Sequence, residues 1–193
     1  MIYYHYSIYQ HSMEEYNKMA RVNKIDFYCG AFLSYIISNG ANEPTLFEDS
    51  EKSSKRLKFS LRNKDYKAYL KYVCTPKTPT LKGKTYTKWD VIFTESERDY
   101  LTNSFAEEDR ENIVILVCAN KEFKDTYFAI VKIDDALKCM ANEQPRITIK
   151  RQKGSKYVSC YGSGISDENA LQLKYNFDEY FDFQSDGRRR YGY

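Results

Sequence analysis

IVILVCA at residues 113–119 and TYFAIVKI at residues 126–133 are two continuous apolar runs, rich in β-branched and aromatic side chains and separated by a short polar stretch. Runs of this length and composition, bounded by turn residues, read as central strands, and the short interval predicts a hairpin. Working outward, residues 134–140 predict a short helix. Residues 146–151 and 156–161 flank Gln152-Lys153-Gly154-Ser155 as a second hairpin. A last strand is expected over 170–175 and a terminal helix over 177–183. Upstream, residues 89–94 read as a strand, 95–104 as a short helix and 107–111 as an acidic surface turn.

The N-terminal third has different patterns. Residues 2–9 alternate with the period of a strand, and Ser12 and Glu15 have the spacing of a capping box for a helix starting near Met13. The apolar stretch 27–37 ends in Ser38-Asn39-Gly40, a helix stop. Residues 41–54 read as a loop. Strands joined by short turns in the second half favour an α+β fold: a central, mainly antiparallel sheet, strand-rich in the C-terminal half, with N-terminal helices packed against it. The expected organisation is one domain over 1–187, followed by a basic, flexible tail at 188–193. Within the domain, 1–50 form a helical part, 51–88 a basic strand-helix-loop segment and 89–187 the sheet core.

Charge is sorted along the chain. Between Lys52 and Lys88 twelve Lys or Arg face a single acid, Asp65, so the net charge of +3 conceals a strongly basic block. Residues 89–143 reverse the sign, and residues 144–164 carry five bases and no acid. In the first block Leu57, Phe59 and Leu61 alternate with Arg56, Lys58 and Arg62, which predicts a strand with one cationic face. Tyr66, Tyr69, Leu70 and Val73 fall at helical spacing with Lys64, Lys67 and Lys71 opposite, which predicts an amphipathic helix. Residues 75–88, with Pro76, Pro79 and Gly83, read as an extended basic loop that includes Lys82 and Lys84.

Basic segments carrying tyrosine are what a polyanion requires, cations for phosphates and flat rings for bases. The expected function is therefore non-enzymatic binding of DNA or RNA on one composite basic surface. Arg56, Lys58, Arg62, Lys67, Lys71, Lys82 and Lys84 would come from the first block. Arg146, Lys150, Arg151 and Lys153 would come from the second hairpin, with Tyr157 stacking on a base. The alternative is a protein-binding regulator or inhibitor, such as a phage or mobile-element accessory protein, that docks on a nucleic-acid enzyme, since charge blocks also steer protein association. A third reading is a metal-dependent nuclease with Asp90, Glu122 and Lys124 at its centre.

Other chemistries have little support. Five widely spaced cysteines without a CxxC pair form neither a disulfide framework nor a zinc site, and they fit a reducing, cytoplasmic setting. His5 and His11 are the only histidines, with no triad partner in view. Gly162-Ser163-Gly164 lacks the lysine of a phosphate loop. No run reaches the length of a membrane span, so no membrane partner is expected, nor any cofactor or metal.

Overall fold

A computed structural model describes residues 22–47, 54–81, 84–120, 126–141, 144–174 and 180–181. The expected N-terminal strand, the helix from Met13, both histidines, most of the terminal helix and the arginine tail lie outside these residues. In chain order the elements are α1 (Lys24–Ser38), β1 (Asn42–Leu46), β2 (Ser54–Leu61), β3 (Lys64–Val73), β4 (Thr80–Leu81), β5 (Lys84–Ile92), α2 (Glu95–Asn103), β6 (Glu111–Cys118), β7 (Tyr127–Lys132), α3 (Ile133–Cys139), β8 (Arg146–Gln152), β9 (Tyr157–Gly162) and β10 (Leu171–Lys174). The fold is α+β and mostly antiparallel. Its strands divide into two sheets, ordered β1-β2-β3-β6-β7 and β10-β9-β8-β5-β4.

The stretch 113–133 forms the expected hairpin, with Ile115 opposite Ile130 and Val117 opposite Phe128. β6 also pairs with β3, in parallel. With strands on both sides and apolar layers on both faces, β6 is buried from Ile113 to Cys118, which is why its sequence shows no alternation. One face of the first sheet, through Leu57, Phe59, Leu70, Ile115 and Ile130, packs on Tyr28, Phe32 and Ile36 of α1. The other face, through Tyr69, Val114, Leu116 and Val131, meets Trp89, Val91, Ile147 and Ile149 of the second sheet. Each such large side chain withdrawn from water contributes about 1.5–3 kcal/mol before the entropy of ordering is subtracted. Cys118 lies in this second layer, where burial pushes its thiol up.

Three segments differ from the sequence reading; one is the expected basic loop 75–88, which supplies β4 and the first half of β5, where pairing with β8 makes Tyr86 to Lys88 strand. Asn42–Leu46, expected as loop, is an edge strand on β2 with an irregular register. Residues 64–73, expected as a helix, are strand β3, paired with β2 from Ser54↔Lys71 to Leu61↔Lys64. The apolar residues there fit a helical period only because β3 is buried on both faces. Tyr66, Ala68 and Leu70 lie in the layer against α1, and Tyr69 lies in the layer between the sheets. Arg62 and Asn63, with φ of 50° and 62°, form the tight β2–β3 turn.

Lys67 and Lys71 share the inner side of β3 with Tyr69 and retain only 7% and 6% side-chain exposure. Helix α2 supplies the counter-charge. Thr94 and Glu97 form its capping box: the Glu97 N–H donates to Thr94 Oγ1 (3.1 Å), and the Thr94 N–H donates to Glu97 Oε2 (2.8 Å). The same Glu97 carboxylate accepts from Lys71 Nζ at Oε2 (2.6 Å) and from the Tyr69 hydroxyl (2.6 Å). Lys58 and Lys67 converge on Glu107 Oε1 at 2.7 and 2.8 Å. Phe47, Phe93 and Phe105 cover these ammonium groups at 5.1–5.2 Å.

Burial raises the Glu97 carboxyl, but the donors from Lys71, Tyr69 and Thr94 outweigh it and hold the group below its ordinary value. Hydrogen bonds from Lys58 and Lys67 lower Glu107 from 4.5 to about 2. A depressed carboxyl stabilises the fold fully above its unfolded pKa, and that contribution is lost as pH falls through the folded one. Urea midpoints are therefore expected to hold down to about pH 5 and to drop between about 4.5 and 2, with a smaller drop in Glu107→Gln. Glu97→Ala strands a buried ammonium and is expected to cost about 3–5 kcal/mol in the same titration. A neutral result there would contradict a paired, buried Lys71.

Candidate nucleic-acid interface

The second sheet turns one face to the core and the other outward. Along β5 the alternation is Trp89 and Val91 inward, Tyr86, Lys88 and Asp90 outward. Along β8, Ile147 and Ile149 point inward, while Arg146, Thr148 and Lys150 point outward. Strand pairing aligns these positions in rows. Lys88 lies opposite Lys150, which lies opposite Ser159; Asp90 lies opposite Thr148, which lies opposite Tyr161. The later part of the first basic block is thereby joined to the second.

Cations and rings interleave on this outer face. Lys150 Nζ lies 5.1 Å from the Tyr86 ring centroid and 5.8 Å from that of Tyr161, and Lys88 Nζ lies 5.7 Å from Tyr161. Two carboxylates set the local balance. Asp90 accepts from Lys77 Nζ (2.9 Å) and Thr148 Oγ1 (2.8 Å), with Lys88 Nζ at 3.4 Å, and Asp167 pairs with Lys150 at 2.6 Å. Burial raises the Asp90 carboxyl, yet Lys77, Thr148 and Lys88 together bring it below its ordinary value. The Tyr161 hydroxyl is raised, by burial first and then by Asp167.

The hairpin tip extends this face. Gly154, at φ 84°, provides the left-handed position that closes the β8–β9 turn, and the Ser155 N–H donates to the Gln152 carbonyl at 3.1 Å. Lys153, Lys156 and Tyr157 follow along the turn and are exposed, Tyr157 by 51%. Arg146, at the other end of β8, is also exposed. Arg151 belongs to the opposite face, where its Nη1 donates to the Tyr127 hydroxyl at 2.9 Å.

The remaining expected residues separate into three groups. Arg56, Lys58, Lys67 and Lys71 are used within the fold, Arg56 lying 3.8 Å from the Tyr100 ring centroid and the lysines on Glu107 and Glu97. Arg62 is exposed at the β2–β3 turn, away from β8 in the strand order. Lys84 opens β5, and Lys82 lies outside the described residues. Of the nuclease trio, Asp90 is held by two lysines and a threonine, and Glu122 and Lys124 lie outside the described residues. Among the described residues no three His, Cys, Asp or Glu side chains gather to hold a metal ion, and no helix is long and apolar enough to cross a membrane.

Tyr86, Lys88, Lys77 and Tyr161 lie within the two basic segments read from sequence but not among the contact residues named there. The signal was present in the alternation of Tyr86, Lys88 and Asp90 with Thr85, Thr87 and Trp89, masked by the prolines just upstream. Gly162-Ser163-Gly164 has a structural task instead. The Gly164 N–H donates to the Cys139 carbonyl at the end of α3 (2.8 Å), and the Ser163 N–H donates to the Arg146 carbonyl (3.2 Å). A Cβ on Gly162 would stand 2.0 Å from the Arg146 carbonyl oxygen and 2.4 Å from that of Cys139. Gly162→Ala is expected to cost about 1–3 kcal/mol or more by overpacking, read as a lowered thermal midpoint, whereas Gly154→Asn, which tolerates positive φ, costs little.

Comparison of the chain with known family models, curated proteins and solved structures finds no match.

Proposed function

We propose that this chain binds nucleic acid on the outer face of its second sheet, without acting on it chemically. The observation that carries the reading is the interleaving of Lys88 and Lys150 with Tyr86 and Tyr161 across three adjacent strands, continued by Lys153, Lys156 and Tyr157 at the hairpin tip. A strand lying across such a face meets cations at phosphate level and, at base level, the half-buried Tyr86 and the exposed Tyr157, with the buried Tyr161 ring supporting the lysines from beneath. The aromatic content favours single-stranded segments, whose unstacked bases are free to lie on a ring. Asp90 and Asp167 hold the lysines in place, and an incoming phosphate competes with Asp167 for Lys150. The half-buried and buried cations of β2 and β3 are not part of this surface.

Exposed apolar side chains favour the alternative of a protein-binding regulator. Phe27 and Ile37 of α1 and Leu46 of β1 are each more than half exposed. Such apolar exposure suits a protein partner rather than a polyanion.

Fluorescence anisotropy against single- and double-stranded DNA and RNA at two salt concentrations separates the readings. The triple variant Arg146→Glu, Lys153→Glu, Lys156→Glu changes only exposed side chains. It is expected to weaken binding and to flatten the plot of log affinity against log salt by roughly 2–3 in slope. Tyr157→Ala should weaken single-strand binding about 5- to 150-fold, the equivalent of roughly 1–3 kcal/mol of stacking. Unchanged affinity and slope in the triple variant would overturn the assignment to this face. Failure of the parent chain to bind any of the four ligands at low salt would replace it with the protein-binding reading.

A further inference from the structure

Between the two sheets, where β6, β8 and β10 end and β7 and β9 begin, the fold holds a cavity of about 210 Å³. Its floor is Trp89, Ala129, Ile149 and Val158. The Trp89 indole N–H is committed to the Ala119 carbonyl at 2.9 Å, and its ring meets Tyr127 edge-on at 5.9 Å, so this wall is fixed before any ligand arrives. The rim has the opposite character.

Arg151 continues the inward series Ile147, Ile149, and so places a guanidinium where the pattern calls for a third aliphatic. Tyr127 brackets it, with the guanidinium carbon 4.5 Å from the ring centroid and Nη1 2.9 Å from the hydroxyl. Lys174 also lines the cavity and adds a second cation to the rim. A dry apolar cavity of about 150 Å³ is enough to take up benzene, and drug-sized ligands need roughly 300 Å³ or more. The volume here selects one flat ring system, and the rim selects a negative charge attached to it.

We infer that this cavity binds a planar aromatic group bearing a single anionic substituent, with the ring on the Trp89 floor and the anion held by Arg151 and Lys174. A planar guanidinium offers two parallel N–H donors to a carboxylate or a phosphate, which sets the orientation as well as the charge. A nucleoside monophosphate and an aromatic carboxylate share this chemistry. The site lies on the opposite side of β8 from the proposed nucleic-acid face, so it stands or falls separately from that reading.

Trp89 is the chain's one tryptophan, and it lines the cavity, so its emission reports occupancy directly. The test titrates the full chain with adenosine monophosphate against adenosine, and with benzoate against benzamide. A saturable change in emission is expected in at least one pair, with the anionic member binding at least about tenfold tighter than its neutral counterpart. Whichever pair responds identifies the source of the ring. Arg151→Met is expected to bring that ratio close to one while leaving the neutral ligand's affinity in place. Ala129→Leu, which fills the floor, is expected to abolish both.

Shielding of Trp89 from acrylamide quenching by the bound ligand gives a second readout in the unsubstituted chain, should Ala129→Leu fail to fold. The variant Arg146→Glu, Lys153→Glu, Lys156→Glu is expected to keep the response whatever its behaviour toward nucleic acid. No change in Trp89 emission with any of the four compounds at millimolar concentration would overturn the inference. So would equal affinity for charged and neutral members, or an Arg151→Met variant that preserves their ratio.

Discussion

The inner side of β3 carries two lysines into a layer that is otherwise apolar, and the rest of the structure is arranged to neutralise them. An ammonium group without a counter-charge there would cost several kcal/mol, a large part of the margin by which most domains are stable. The fold answers with Glu97 from the first turn of α2 and Glu107 from the segment after it. Glu97 serves two purposes, closing the cap of its own helix and receiving Lys71. The position and direction of α2 are therefore tied to the register of β3. A shift of one residue in that strand would turn Lys67 and Lys71 toward α1 and leave both carboxylates without their cations.

This internal use of charge changes how the basic blocks are understood. For Lys58, Lys67 and Lys71 the counter-ions exist, but they lie 26 to 49 residues further on, in the acidic stretch that follows Trp89, while Lys55 pairs with Asp26 of α1. The two blocks of opposite sign are complementary halves of one packed layer. Over residues 77–88 and 146–157 the cations instead share an outward face with tyrosines, and their carboxylate partners, Asp90 and Asp167, are fewer. A cation count along the sequence treats both cases alike. Their place in the fold, between packed elements or on an outer sheet face, separates them.

The C-terminal half was legible because its strands are short, apolar and punctuated: the hairpin 113–133, the Gln152–Ser155 turn and the helices after Thr94 and Lys132 all follow from local pattern. The α+β class followed from these. Residues 64–73 misled because burial on both faces removes the alternation that marks a strand, and the surviving apolar positions mimic a helical period. Asn42–Leu46 misled for the opposite reason: an edge strand of Asn, Glu, Pro, Thr and Leu has the composition of a loop. Of the candidate site, the exposed cations of the β8–β9 hairpin were readable. Arg151 was not, since its assignment to the inner face depends on strand parity and on Tyr127, which lies 24 residues away.

The parallel pairing of β3 with β6 has a consequence for how the chain acquires this structure. Between these two neighbours the polypeptide leaves the first sheet, lays down β4 and β5 in the second, forms α2 and only then returns. The central contact of the first sheet thus joins residues about 45 apart, and it closes around a loop that already contains part of the other sheet. Such long-range closure makes for slow folding, because the entropy of the loop is lost before its contacts form. It also ties the assembly of each sheet to that of the other, so that unfolding is expected to proceed as one cooperative event rather than sheet by sheet.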